Sequence, residues 1–224
     1  MTGAILQVRT ASSRLPGKCL LPLRGIPMLV YILRRLRDGL PHLPVVVATT
    51  HLNRDDVLVE LCEQERIPWF RGSESDVLAR FADCARHFCF SHIIRLTADN
   101  PFTDLEELQR LIDLHTGSPH DYSHSFMHLP VGSGAEIFTL PCLLKTHHEG
   151  MAVHHREHVN EYVVEHPEIF TIQHLEVPPN KRHPELRLTV DTQADYEQAC
   201  RIVSATERPW VQTEDAIAWL LRSA

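Results

Sequence analysis

Three cationic side chains lie close together near the start of the chain. Arg9, Arg14 and Lys18 follow a short apolar run, and the hydroxyl groups of Ser12 and Ser13 lie between them. Arg and Lys side chains bind phosphate oxygens through charge-assisted hydrogen bonds, and backbone N–H groups of a loop can add further donors. The loop therefore has the groups needed to hold a polyphosphate, and we predict a nucleoside triphosphate site. The alternative is a solvated basic turn.

Two aspartates follow segments that are typical of β-strands. Asp99 comes after an Ile-rich run, and Asp191 comes after Leu188-Thr189-Val190. Carboxyl ends of parallel strands meet at one edge of a sheet, and Mg²⁺ is commonly held by one or two carboxylates plus substrate phosphates. These two residues therefore predict a Mg²⁺ site. The alternatives are an ordinary turn aspartate before Asn100-Pro101 and a helix N-cap near Thr192.

Strands and helices alternate along most of the chain. Period-2 and apolar runs predict strands at 4–6, 44–49, 67–70, 91–97, 135–138, 171–177 and 186–192. Helical periodicity and capping residues predict helices at 28–37, 53–66, 104–115, 141–149, 154–166, 194–205 and 214–221, and another that starts at Ser75. This alternation is typical of a mainly parallel sheet with both faces covered by helices.

The alternation is interrupted between about residues 117 and 138. This stretch is rich in Ser, Pro, His and Gly, and it includes a Gly-Ser-Gly turn before an extended run. We interpret it as an inserted hairpin and loop within a single domain that spans residues 1–224.

Composition limits the class of protein. The 224 residues are 43% hydrophobic, and the formal net charge is −7, which argues against broad nucleic-acid binding. No apolar run is long enough for a membrane span, and no signal sequence precedes the first strand, so we expect a cytoplasmic location. The six cysteines have no paired spacing, which favours reduced thiols over a disulfide or zinc framework.

Four motifs carry a resemblance to a known family. They are 6–18 (LQVRTASSRLPGK), 95–101 (RLTADNP), 156–159 (REHV) and 188–192 (LTVDT). Together they resemble the cytidylyltransferases of the CMP-KDO and CMP-acylneuraminate synthetase group, and most of all the spore coat polysaccharide biosynthesis (SpsF-like) branch. The resemblance implies a Rossmann-like three-layer α/β/α nucleotidyltransferase fold (GT-A-like), with a small hairpin region that makes dimer contacts.

The resemblance also implies roles for individual residues. The nucleotide CTP would contact Leu6, Gln7, Arg9, Ser12, Ser13, Arg14, Lys18, Thr97 and Asp99. The catalytic group would be Arg14, Lys18, Asp99 and Asp191, with Mg²⁺ as cofactor on the two aspartates. Lys18 is expected to be the most damaging single charge to remove, because charge accumulates on phosphate oxygens during nucleotidyl transfer.

The acceptor side departs from the family pattern. Ala98-Asp99-Asn100-Pro101 stands where the branch usually has Gly-Asp-Cys-Pro, and 132–136 keeps Glu136 but lacks the family's Asp. We assign acceptor contacts to Glu136, Arg156, His158 and Arg187. His154 and His158 have a spacing that can bind zinc on a helix, but the ligand pattern is incomplete and we do not favour zinc.

The function implied by the resemblance is CTP-dependent transfer of CMP to a sugar acid or similar small anionic acceptor, with release of pyrophosphate. Expected partners are CTP, the acceptor and a second copy in a homodimer that uses region 118–137, with no nucleic acid and no membrane. One alternative is a nucleotidyltransferase that acts on a phosphate-bearing acceptor. Another is a non-catalytic nucleotide-binding regulatory subunit. A glycosyltransferase is less favoured, because no Asp-x-Asp motif follows a strand.

Overall fold

The computed structural model describes residues 1–223 and contains a central seven-stranded sheet. The strands are β1 (Thr2–Gln7), β2 (Pro22–Leu23), β3 (Ile26–Pro27), β4 (Val45–Thr50), β5 (Trp69–Gly72), β6 (His92–Thr97), β7 (Tyr122–His124), β8 (Glu136–Thr139) and β9 (Ile172–His174). The order in the central sheet is β5-β4-β1-β6-β8-β7-β9, and β2 pairs with β3 in a separate small hairpin. Within the described chain, β8 alone runs against the other strands of the central sheet.

Helices connect and cover these strands. They are α1 (Met28–Gly39), α2 (Asp56–Glu65), α3 (Val77–His87), α4 (Leu105–Thr116), α5 (Leu140–Glu149), α6 (Val153–Glu157), α7 (Glu161–Glu165), α8 (Gln193–Ala205) and α9 (Thr213–Ser223). Short 3₁₀ turns occur at Lys18–Leu20, Asn53–Asp55 and Pro179–Lys181.

The sheet is buried on both faces, as the alternating apolar runs predict. Along β1, Ala4 and Leu6 pack into one hydrophobic cluster with helices α1, α2, α4, α8 and α9. Ile5 points to the opposite face, into a second cluster with α3, α5 and α7. Successive side chains of a strand point to opposite faces, so a continuous apolar run must be covered on both. The predicted three-layer α/β/α fold with a mainly parallel sheet is confirmed.

Local sequence explains where several helices start. The side chain of Asp76 accepts the Ala79 N–H at the start of α3, and Asp104 accepts the Glu107 N–H at the start of α4. These caps satisfy N–H groups that have no partner within the helix. Both helices follow strand ends, and they therefore fix the direction of the chain beside the carboxyl edge of the sheet.

Two predicted elements are wrong. Residues 186–192 do not form a strand, because the segment makes one isolated bridge, between Arg187 and Val131, instead of a ladder. Its backbone instead bonds to loops, including Val190 N–H to the Asp99 carbonyl at 2.8 Å. The helix predicted over 154–166 is broken into α6 and α7, because the chain becomes extended at His158 and buries Val159 between them.

The stretch 117–138 forms part of the central sheet. Strands β7 and β8 pair as an antiparallel hairpin, β8 pairs with β6, and β7 pairs with β9. The hairpin is therefore present, and it extends the sheet beyond β6. The single-domain organisation stays a prediction, and Ala224 lies outside the described residues. None of the helices in residues 1–223 has the length and apolar character required to cross a membrane.

Candidate functional site

The loop after β1 folds back on itself. The Gly17 N–H donates to the Thr10 carbonyl at 2.9 Å, and Gly17 has a φ of 69°, in the left-handed region that favours glycine. A 3₁₀ turn then begins at Lys18. The sequence Pro-Gly-Lys thus closes the loop and brings Lys18 back toward the end of the sheet.

The buried carboxylate of Asp55 holds the start of this loop. Oδ1 accepts the Thr10 backbone N–H at 2.8 Å and the Thr10 hydroxyl at 2.6 Å, while Oδ2 accepts the Thr50 hydroxyl. Burial raises the pKa of Asp55, but these hydrogen bonds outweigh it and the pKa is lowered from its ordinary value. Asp55 is thus a charged anchor that ties the loop to the end of β4.

The two aspartates predicted as metal ligands converge on Lys18. The Lys18 Nζ lies 3.1 Å from Asp99 Oδ2, 2.8 Å from Asp191 Oδ1 and 2.8 Å from the Val190 carbonyl oxygen. Asp99 follows β6, whereas Asp191 reaches the site from a segment that is not a strand. Residues far apart in the chain therefore place two carboxylates around one cation.

Asp191 is surrounded by positive charge. In addition to Lys18, Arg14 lies 3.1 Å from Oδ1 and Arg187 lies 2.6 Å from Oδ2. Burial raises the pKa of this carboxyl, but the contacts with the three cations outweigh it, so the pKa is lowered. The N-cap of α8 is Thr192, and the Asp191 side chain is therefore available to face the loop.

A cavity of about 520 Å³ opens at this edge of the sheet. Most predicted site residues line it: Gln7, Arg9, Ser12, Ser13, Arg14 and Lys18 from the first loop, and Thr97, Asp99, His158, Arg187 and Asp191 from elsewhere. Three do not. Leu6 is fully buried in β1, Glu136 is buried in β8, and Arg156 lies beside Asp76 instead of lining the cavity.

Sequence reasoning missed several residues that line the cavity, and the most informative of them is Arg95. Its signal was a charged side chain inside the apolar run Ile93-Ile94-Arg95-Leu96. Gly132 was also given no role. Its φ is 95°, and a Cβ added at this position would lie 2.5 Å from the Thr189 backbone nitrogen, so glycine is needed there. The close approach lets the segment that carries Asp191 pack beside this loop.

Asp99 and Asp191 have the chemistry to hold a divalent cation. Their oxygens meet within hydrogen-bonding distance of a single nitrogen, and carboxylate oxygens suit Mg²⁺ or Mn²⁺. Arg9, Arg14, Arg95 and Arg187 also line the cavity, and guanidinium groups can hold phosphate oxygens. The arrangement can therefore bind a metal-complexed polyphosphate.

His154 and His158, the spacing that we did not favour as a zinc site, have different surroundings in the structure. His154 contacts Glu165 at 3.1 Å, while His158 ends α6 and lines the cavity. The neighbouring His155 also contacts Glu165, at 2.8 Å through Nε2. Its Nδ1 accepts the Ala152 N–H, so Nε2 carries the proton and serves as a donor. This pattern favours a hydrogen-bonded link between α6 and α7 over a zinc site.

Comparison with known proteins identifies the family of the chain. The cytidylyltransferase family model matches residues 3–217. The chain belongs to the cytidylyltransferase family. It is 36% identical to the spore coat polysaccharide biosynthesis protein SpsF of Bacillus subtilis (strain 168), over 98% of this chain and 93% of SpsF. This cytidylyltransferase is thus an enzyme of the nucleotidyltransferase class, as the resemblance implied.

Solved structures share the fold. A cytidylyltransferase from Leptospira borgpetersenii superposes with a TM-score of 0.92 at 31% identity, over 99% of this chain and 94% of that one. A CMP:2-keto-3-deoxy-manno-octonic acid synthetase, solved in complex with CTP, superposes with a TM-score of 0.70 at 16% identity, over 91% and 98% of the two chains. At that identity the second match establishes the fold alone.

Proposed function

We propose that this enzyme transfers CMP from CTP to a small anionic acceptor, such as a sugar acid, and releases pyrophosphate in a pathway that makes polysaccharide or nucleotide sugars. The observation that carries the proposal is the convergence of Lys18, Asp99 and Asp191 beside an arginine-rich loop. Such a site can place cations along one side of a triphosphate and carboxylates near the reacting phosphorus.

The chain's own residues would act mainly by position and charge. Arg9, Arg14, Ser12 and Ser13 would bind phosphate oxygens. Lys18 would stabilise the negative charge that accumulates on those oxygens as pyrophosphate leaves. Fixed donors aimed at developing charge lower the barrier because they need little reorganisation during the reaction. Asp55 would support this effect indirectly by holding Thr10 and the start of the loop.

Mg²⁺ is the proposed cofactor, with Asp99 and Asp191 as its ligands. The ion would neutralise phosphate charge and orient the transferring group. To free the carboxylates, Lys18 would move from the aspartates toward phosphate oxygens when the nucleotide binds. The Lys18 ammonium group would then have a negatively charged partner both without nucleotide, in the aspartates, and with nucleotide, in the phosphate oxygens.

Gln7 is the proposed contact to the base. It lines the cavity, and its Oε1 is buried without a hydrogen-bond partner in the described chain. A side-chain amide oxygen can accept from the exocyclic amino group of cytosine, which uracil replaces with a carbonyl. The orphaned acceptor therefore supports a preference for CTP over UTP.

Measurement of pyrophosphate release tests the proposal. The assay would combine Mg²⁺ and each of four nucleoside triphosphates with sugar acids and sugar phosphates. We expect release with CTP and a sugar acid, and losses of at least about a hundredfold in Asp99→Asn and Asp191→Asn. Asp113→Asn, on the outer side of α4, is the control. Full turnover in both site variants would refute the metal assignment, while CTP binding without turnover on any acceptor would favour a regulatory subunit.

The homodimer remains part of the proposal. Phe126, Met127 and Val131 expose 43%, 51% and 47% of their surfaces, and all three lie in the predicted contact region 118–137. Exposed apolar side chains grouped in one loop are typical of a subunit contact. Light scattering after size exclusion would give the mass, and we expect Phe126→Ser with Met127→Ser to shift it toward a monomer.

A further inference from the structure

Glu136 does not reach the cavity but is paired with a residue that does. Arg95 and Glu136 are directly opposite each other in the β6–β8 ladder, and Arg95 Nη1 donates to Glu136 Oε1 at 2.5 Å. The side chain of Glu136 is 1% exposed, whereas Arg95 is 16% exposed and lines the cavity. The charged group presented to a substrate is therefore the guanidinium of Arg95.

The other oxygen of Glu136 is also occupied. Tyr122 donates its hydroxyl hydrogen to Oε2 at 2.5 Å, and Asn160 Nδ2 lies 3.4 Å from the Tyr122 oxygen. Burial and the Glu136 charge raise the pKa of Tyr122 well above its ordinary value, so the phenol remains a donor. A buried carboxylate with a donor on each oxygen is held in one place, and it fixes the orientation of the arginine bound to it.

Arg95 retains donors that no described residue uses. Its Nε is buried and makes no hydrogen bond within residues 1–223, although the side chain lines the cavity. The hydrogen bond to Glu136 uses Nη1, so the guanidinium also keeps Nη2 as a donor that a ligand in the cavity can use. Arg187 also lines the cavity but differs, because it is committed to Asp191 at 2.6 Å and to Asp195 at 3.4 Å. Unlike Arg14 and Arg187, Arg95 is therefore not tied to the proposed metal ligands.

The order of the strands places Arg95, on β6, between β1 and β8. The nucleotide loop follows β1, Asp99 follows β6, and β8 lies beyond β6 in the sheet. The attacking and leaving oxygens of a phosphoryl-type transfer lie roughly in line, so the acceptor must approach from the side opposite the pyrophosphate. If the triphosphate lies over the loop that follows β1, the acceptor would approach from the side of β6 and β8, where Glu136 holds Arg95.

We infer that Arg95 binds the carboxylate of the acceptor and that Glu136, with Tyr122, positions it for that task. This inference rests on the proposed function. A carboxylate fits better than a phosphate, because Glu136 already offsets part of the charge of Arg95, and a monoanion matches the charge that is left better than a dianion does. Glu136 is then a residue that sets acceptor specificity without touching the acceptor.

The test compares acceptors that differ in their anionic group. Pyrophosphate release would be measured with CTP, Mg²⁺ and 2-keto-3-deoxy-manno-octonate, N-acetylneuraminate, glucuronate, glucose 1-phosphate or glucose. For the carboxylate that the wild type uses, Arg95→Met should raise the acceptor KM at least about tenfold and leave the KM for CTP within about twofold. Arg110→Met is the matched control, because Arg110 pairs with a buried glutamate, Glu107, at 2.5 Å outside the cavity.

A double variant separates recognition from folding. Arg95→Met leaves Glu136 buried without its cation, so a lower Tm is expected, and adding Glu136→Gln should restore much of it. The acceptor KM of the double variant should equal that of Arg95→Met, because Glu136 acts through Arg95. Glu136→Gln alone should lower the ratio of kcat/KM for the carboxylate acceptor to kcat/KM for glucose 1-phosphate. If the two substitutions raise the acceptor KM by independent factors that multiply in the double variant, Glu136 does not act through Arg95, and the positioning role is refuted.

Binding measured without turnover keeps the two proposals distinguishable. Saturation-transfer NMR with Mg²⁺ and a non-hydrolysable CTP analogue should show contact with a carboxylate acceptor in the wild type and Arg110→Met, and loss of contact in Arg95→Met. Contact without turnover would overturn the proposed function and leave the role of Arg95 intact. Three outcomes would overturn the inference. The carboxylate acceptor could contact Arg95→Met as it contacts the wild type, the wild type could contact the sugar phosphate alone, or it could contact no carboxylate at all.

Discussion

Replacing Lys18 by Met should have opposite effects on catalysis and on metal binding without nucleotide. The variant removes the cation that lies 2.8 Å from Asp191 and 3.1 Å from Asp99 and retains most of the side-chain volume. The kcat should fall by about 10²–10³-fold, which is the usual effect of losing one fixed hydrogen-bond donor to the charge that develops in the transition state. Metal binding should improve, because the ammonium group no longer competes for the two carboxylates.

The size of the second effect can be estimated from the geometry. A unit charge about 3 Å from a carboxylate contributes roughly 5 kcal/mol at an effective dielectric constant of 20. Water reaches this site, since the Asp99 side chain is 31% exposed, and measured contributions of partly exposed pairs are about 1 kcal/mol. Removing two such pairs gives about 2 kcal/mol, which corresponds to roughly thirtyfold tighter binding of the metal ion.

Mn²⁺ is a suitable probe for this measurement. Titration of nucleotide-free protein, followed by the paramagnetic resonance signal of free Mn²⁺, gives the Kd for wild type and Lys18→Met. Lys145→Met serves as the control, because Lys145 pairs with Glu149 at 3.1 Å on the surface of α5. Equal or weaker Mn²⁺ binding in a Lys18→Met protein that retains its Tm would refute the assignment of Asp99 and Asp191 as ligands.

Three further predictions concern other parts of the site and the core. Asp55→Ala should raise the KM for CTP about tenfold because Thr10 is released. Asp56→Ala, at an exposed position, should leave this KM unchanged. A lower Tm with an unchanged KM in Asp55→Ala would show that Asp55 has a purely structural role. Gln7→Ala should reduce the ratio of kcat/KM for CTP over UTP by about tenfold, and an unchanged ratio would exclude Gln7 from base recognition. Burial lowers the pKa of His115 from 6.5 to about 4, so protonation favours the unfolded chain as the pH falls from 6.5 toward 4. Urea unfolding at pH 7.5 and pH 5 should therefore show a smaller acid-induced loss of stability for His115→Gln than for the wild type, and an equal loss would contradict this reasoning.

Much of the site could be predicted from the sequence because its first half is local. A buried strand, a loop with three cations and a glycine, and an aspartate after an Ile-rich strand are all encoded within short segments. The structure places Arg14, Lys18 and Asp99 in one cavity, as that pattern implies. Strand periodicity and the preference of ligands for the carboxyl ends of parallel strands are sufficient for this much.

The role of Glu136 shows what the sequence by itself did not determine. A motif match suggested an acceptor contact, but burial and the pairing of Glu136 with Arg95 depend on the register between β6 and β8. Strand register follows from packing across the whole sheet, so the residue that faces the cavity could not be chosen from spacing. For the same reason, the sequence shows the charge of Arg95 but not which residues surround it.

Asp191 shows the same division between local and tertiary information. Its segment has the composition of a strand, yet it bonds to the Val131 loop and to the backbone of Asp99. The sequence determined which side chains carry charge and which runs are apolar. Only the tertiary structure brought Asp191, which is 173 residues from Lys18, to the same nitrogen as Asp99. Contacts at that separation depend on the packing of distant segments, which no local pattern encodes.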